Sequence, residues 1–165
     1  MPTSQPEVTS VPTLDLQRYL GLWFEIGRLP NRFEEAGASD VTAEYSLNDD
    51  GTVTVENSCV DEDGDPSRAV GQAVPDDAPG RLRVSFLPAG LRWIPGTRAN
   101  YWVLKIDDYR HALAGTPDHK FLWLLSRTPR VDPEVKADYL AEAERQGFDL
   151  TPWIRTVQSG ARVRD

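Results

Sequence analysis

VTAEYSLNDDGTVTVENSCV, residues 41–60, reads as two strands and the turn between them. Val41, Ala43 and Tyr45 alternate with Thr42, Glu44 and Ser46. Val53 and Val55 alternate with Thr52, Thr54 and Glu56. A period of two puts each apolar set on one face of a pleated strand. Asn48-Asp49-Asp50-Gly51 supplies the turn, because glycine takes up the positive φ that a tight hairpin needs. The same texture continues outward in both directions. Strands are predicted over 22–29, 67–74, 81–86, 99–106, 109–114 and 121–126, with Pro30, Asp61–Pro66 and Pro75–Gly80 as breaks. In 81–86, for example, Leu82, Val84 and Phe86 alternate with Arg81, Arg83 and Ser85. The whole is a meander of eight strands with mostly tight links. Such a run has two edges to hide, and closing on itself removes both. An eight-stranded barrel is wide enough to hold one small ligand.

Two helices punctuate this pattern. Asp15 caps a short turn through Tyr19, which Gly21 ends. Asp132 and Pro133 open the only long helix, Val135, Tyr139, Leu140 and Ala143 form its apolar stripe, and Gly147 stops it. One apolar stripe means that it packs on the outside of the sheet. Pro152–Gln158 reads as a last extended piece. The expected organisation is a disordered lead over 1–13, one domain over 14–158 and a flexible tail over 159–165.

The net charge of −8 disfavours nucleic acid or an anionic membrane as an electrostatic partner. Cys59 is the only cysteine, so neither an internal disulfide nor a cysteine-based zinc site is available. Met1 to Thr13 lacks the basic start and apolar run of a signal peptide, and no stretch has the roughly 20 apolar residues of a membrane span. The expectation for the chain as written is a cytoplasmic product. It would be periplasmic or membrane-associated if further residues precede it.

Three short motifs sit along the strands: Gly21-Leu22-Trp23, Asp107-Asp108-Tyr109 and Ser126-Arg127-Thr128. In this order they resemble the three signature segments of the lipocalins. LQRYLGLWFEIGR (16–28), VTAEYSL (41–47), YRHAL (109–113) and LWLLSRTP (122–129) are similar to the group of bacterial outer-membrane lipocalins, apolipoprotein D and plant temperature-induced lipocalins. The resemblance implies an all-β fold, an eight-stranded antiparallel up-and-down barrel forming a calyx. A short N-terminal helical turn closes one end, and one C-terminal α-helix packs outside. It implies that Trp23 and Arg127 close the barrel floor through a cation–π stack. Two departures stand out. The lipidated cysteine of the bacterial members and the disulfides of the apolipoprotein D relatives have no counterpart here.

Candidate site residues follow from strand parity and from the resemblance. Glu25 shares the inward face of Trp23, and a carboxylate in an apolar cup needs a partner. Two readings stay open for it, a ligand anchor and a satisfied buried carboxylate. Tyr45 and Asn57 fall on the inward alternation of their strands and match pocket positions of the family. Trp123 shares parity with Leu125 and Arg127 and matches a pocket tryptophan of apolipoprotein D. Tyr101 is a further candidate, although Tyr101 and Trp102 face opposite ways and the sequence leaves open which is inside. Leu91, Trp93 and Ile94 lie in the long 88–98 loop expected at the open mouth. Exposed apolar residues there suit a lid or peripheral membrane contact.

The function expected is binding, transport or storage of a fatty acid or lysophospholipid. A tetrapyrrole or other pigment carrier is the alternative, and an enzyme of this fold acting on a lipid-like substrate is a third reading. A haem-type site would use an inward His111, and no catalytic triad is visible around it. The Asp61–Asp65 run lacks the twelve-residue ligand pattern of a calcium loop. No metal or cofactor is expected. The partner expected is a small hydrophobic ligand, and the sequence leaves open whether two copies pair in a homodimer, as some bacterial relatives do.

Overall fold

A computed structural model describes residues 6–31, 37–87 and 98–159. The chain runs through α1 (Leu16–Tyr19), β1 (Gly21–Arg28), β2 (Ser39–Leu47), β3 (Val53–Val60), β4 (Pro66–Pro75) and β5 (Arg81–Ser85). Then come β6 (Ala99–Asp107), β7 (His111–Gly115), β8 (Leu122–Ser126), α2 (Pro133–Arg145) and a two-residue β9 (Ile154–Arg155). Every strand from β2 to β8 pairs antiparallel with the next, β8 pairs with β1, and β1 returns to β2. The eight-stranded antiparallel barrel is therefore closed. The predicted strands all form. The seventh starts at His111 rather than Tyr109, because Asp108 and Tyr109 take positive φ in a turn that Arg110 N–H closes onto the Asp107 carbonyl.

Alternation sorts the side chains into two cores. Inside the barrel lie Trp23, Tyr45, Val53, Val55, Ala73, Leu82, Tyr101, Val103, Ala112, Ala114 and Leu125, with Tyr19 of α1 beneath them. Outside, Ile26, Leu104, Leu113, Leu122 and Leu124 pack under Val135, Tyr139 and Ala143 of α2. Burying a side chain of this size contributes about 1.5–3 kcal/mol. Pro133 begins α2 and Gly147 ends it with φ of 94°. Asp132 precedes the helix without a side-chain capping bond.

Two irregularities shape the site. The β1–β8 register shifts between Glu25 and Gly27, so Glu25 pairs with Leu125 and Arg28 with Trp123, both inward positions. The bulge thus puts two residues three apart on the same inner face. The β1–β2 ladder reaches only Phe24 and Thr42, and beyond it β1 pairs with β9 instead. Residues 8–11, expected in the disordered lead, lie against the folded domain. Val8 is buried in the outer core, and Val11 N–H donates to the Val103 carbonyl at 2.8 Å.

Candidate functional site

The closed end is built from α1 and the two strand ends beside it. Gly21 turns the chain from α1 into β1 with φ of 100°, where a side chain would be strained. That turn delivers Trp23 to the floor, fully buried, its Nε1 donating to the Tyr19 carbonyl at 2.9 Å. The Arg127 guanidinium carbon lies 3.6 Å from the centre of the Trp23 ring. Its nitrogens also donate to the carbonyls of Tyr109 (3.0 Å), Leu22 (2.9 Å) and Arg18 (2.7 Å). One side chain thus ties α1, β1 and the β6–β7 turn to the barrel floor.

Above the floor, aromatic rings line the wall. Tyr19 stands 5.1 Å from Trp23 and 5.5 Å from Tyr45, centre to centre. Tyr101 stacks on Trp123 at 6.1 Å, and Trp123 stacks on Phe121 at 6.1 Å with 6° between planes. Trp123 is only half-buried although it faces inward. Asn57 pairs in register with the inward Ala43, is half-buried, and makes no side-chain hydrogen bond to another described residue. The hydroxyls of Tyr19, Tyr45 and Tyr101 meet: Tyr45 donates to Tyr101 at 3.0 Å, and Tyr19 and Tyr101 lie 2.6 Å apart. Burial pushes the Tyr45 phenol up to about 12, and raises Tyr19 and Tyr101 well above the ordinary tyrosine value. All three therefore stay protonated and neutral at physiological pH.

Glu25 has its partners in place. Its Oε2 accepts from Arg28 Nη1 at 2.8 Å and from Thr156 Oγ1 at 2.5 Å, and all three side chains are buried. Arg28 and Thr156 escaped the sequence reading. Arg28 looks outward by simple alternation from Glu25, and only the bulge turns it in. Thr156 lies 131 positions from Glu25. Beside them Gln158 Nε2 donates to the carbonyls of Glu25 and Val41, both at 2.8 Å. The Asp40 carboxylate accepts from Ser159 N–H and Oγ–H. The C-terminal segment therefore bridges β1 and β2 where their own pairing stops.

Tyr101 is inside and Trp102 outside, where the Arg81 guanidinium covers the Trp102 ring at 3.8 Å. His111 faces outward, not into the cup, with Nδ1 3.0 Å from Asp107 Oδ1 and its ring against Tyr139 of α2. This removes the inward histidine that a haem-type site requires. His119 Nε2 meets the Gln146 carbonyl at 2.8 Å, and its ring packs on Phe148. The carboxylates of Asp61, Asp63 and Asp65 gather in the β3–β4 turn, where Asp61 accepts the N–H groups of the other two. Leu91, Trp93 and Ile94 of the mouth loop lie outside the described residues.

The pattern over residues 14–158 matches the Lipocalin-like domain family. The chain belongs to the lipocalin family. It is 43% identical over 164 residues to the outer membrane lipoprotein Blc of Escherichia coli K12, covering 97% of this chain and 88% of that one. It is 37% identical over 161 residues to temperature-induced lipocalin-1 of Arabidopsis thaliana, covering 95% and 86%. Bovine apolipoprotein D is 34% identical over 132 residues, covering 73% and 65%. Insecticyanin of the tobacco hornworm Manduca sexta superposes with a TM-score of 0.72 at 24% identity, covering 94% and 87%, which is a likeness of fold. Crustacyanin H1 of the lobster Homarus americanus does so with 0.69 at 17%, covering 94% and 90%. Membership in the lipocalins implies binding of a small hydrophobic ligand, and none of these relatives is named for an enzymatic activity. The expectation of a cytoplasmic product finds no support in these relatives, since Blc is named an outer membrane lipoprotein.

Proposed function

We propose that this lipocalin carries an amphipathic acyl lipid, a fatty acid or a lysophospholipid, with the chain in the cup and the head group toward the mouth. The observation that carries the reading is the inward, half-buried Trp123, held between Tyr101 and Phe121 in a lining that also presents valine, leucine and alanine. A rigid aromatic plate with uncovered surface suits an apolar chain lying against it. Each methylene buried there contributes about 0.8 kcal/mol. Tyr45, whose ring lies 6.2 Å from that of Tyr101, and Asn57 supply polar groups along the wall. Glu25 enters through Arg28 and Thr156, as the anchor of that wall rather than a bare charge facing the lipid.

Leu91, Trp93 and Ile94, in the sequence between β5 and β6, support a second part of the proposal, peripheral contact with a membrane from which the lipid is taken. Organic extraction of freshly purified protein followed by mass spectrometry, with a lysophospholipid titration read by tryptophan fluorescence, tests the carrier reading. A co-purified acyl lipid, or saturable quenching at about micromolar concentration that is lost in Trp123→Ala, is the expected result. An empty extract together with no fluorescence response to any acyl lipid would overturn it.

A further inference from the structure

Tyr19, Tyr45 and Tyr101 come from α1, β2 and β6, and their hydroxyls meet at one point inside the barrel. A hydroxyl carries one proton and two lone pairs. Three hydroxyls bring three protons, and the two contacts among them use two. One proton is left without an acceptor among the described residues, in whichever direction the Tyr19–Tyr101 bond runs. Burial chooses its owner. Tyr19 is completely buried against Trp23, so a proton left on it would be stranded. Tyr101 is 9% exposed and stands beside the half-buried Trp123, on the cup side of the cluster. The favoured arrangement has Tyr19 and Tyr45 both donating to Tyr101, which keeps its own proton. Accepting two bonds polarises that hydroxyl and strengthens it as a donor.

The surroundings decide which acceptor it suits. The Arg28 guanidinium is bonded to Glu25, and that of Arg127 lies over Trp23 on the floor. A carboxylate brought to Tyr101 would lose its water against a neutral hydroxyl, with both of these cations already engaged. A neutral oxygen, of a ketone, ester, ether or alcohol, asks only for the hydrogen bond. We infer that the Tyr101 hydroxyl is a specificity-determining donor inside the cup, selecting lipids that carry a neutral oxygen partway along the apolar chain. The inference rests on the acyl-lipid reading above and narrows its ligand class.

The test compares octadecanoic acid with a series of its keto derivatives, the carbonyl moved along the chain, by fluorescence titration of ligand-stripped protein. In the wild type, one keto position should bind about fivefold tighter than the parent acid. In Tyr101→Phe the order should invert at that position, because the carbonyl is desolvated without a donor, while the parent acid changes by less than about twofold. An identical keto-to-parent ratio in wild type and Tyr101→Phe would overturn the inference and leave the carrier reading standing. A flat profile along the chain in the wild type would overturn it too, without need of a folded variant. Absence of saturable binding by every acid in the series would sink both.

Discussion

Replacing Glu25 by alanine tests how the upper wall of the barrel is held. The substitution removes the acceptor of two hydrogen bonds and leaves the Arg28 guanidinium, which has no exposed surface, without its carboxylate. Removing one member of a buried ion pair costs about 3–5 kcal/mol, because the remaining charge must be tolerated inside the protein. For a domain of this size each kcal/mol moves the melting point by about 2–4 °C, so a fall of about 6–20 °C is expected. The double variant Glu25→Leu/Arg28→Met removes the charge along with its partner and should recover most of that loss. Calorimetry on ligand-stripped protein measures all the variants, including Arg28→Met alone, and stripping keeps any lipid from masking the difference. The reasoning fails if Glu25→Ala unfolds within about 1 kcal/mol of wild type, or if the double variant is as unstable as the two single losses added together. Either result would mean that the pair does not stabilise the wall and that Glu25 serves the ligand instead.

Arg127→Ala should cost about 2 kcal/mol in urea denaturation and shift the Trp23 emission to longer wavelength, since it loses the stack on Trp23 and three carbonyl contacts at a partly exposed site. An unchanged midpoint and spectrum would show that the floor closes without it. Gln158→Ala removes the amide that joins the Glu25 and Val41 carbonyls, and should lower stability by about 2 kcal/mol with faster amide exchange at the mouth ends of β1 and β2. Exchange unchanged there would mean that β9 and the Asp40–Ser159 contacts hold the seam without it. Alkaline pH should destabilise the fold through the tyrosine cluster. The unfolded Tyr45 releases its proton near 10 while the folded one holds it to about 12, so stability falls as pH rises across that window and is intact below it. Tyr45→Phe should flatten that fall in denaturation midpoints taken from pH 9 to 12, and an equally steep fall would place the titration elsewhere.

Much of the barrel was legible because period-two alternation is a local signal. Residues 41–60 alone fix a hairpin, and each repeat of the pattern places one more strand. The Gly21-Leu22-Trp23 turn, the inward Tyr45 and the α2 stripe follow from the same kind of evidence, residues a few positions apart. What the sequence could not decide involves either both faces of the sheet or the far end of the chain. Tyr101 and Trp102 are both aromatic, and both sides of β6 are apolar because α2 covers the outer one, so alternation carries no sign there. Arg28 reads as outward until the register shift at Ile26 turns it inward beside Glu25. Thr156 and Gln158 reach Glu25 across more than a hundred residues, a proximity that only closure of the sheet creates. Local patterning therefore determined the strands and the hydrophobic lining, since each strand needs only its own residues to choose an inner face. The tertiary structure alone decided which polar groups meet inside that lining, because a bulge and a closed seam are properties of the whole barrel and of no single strand.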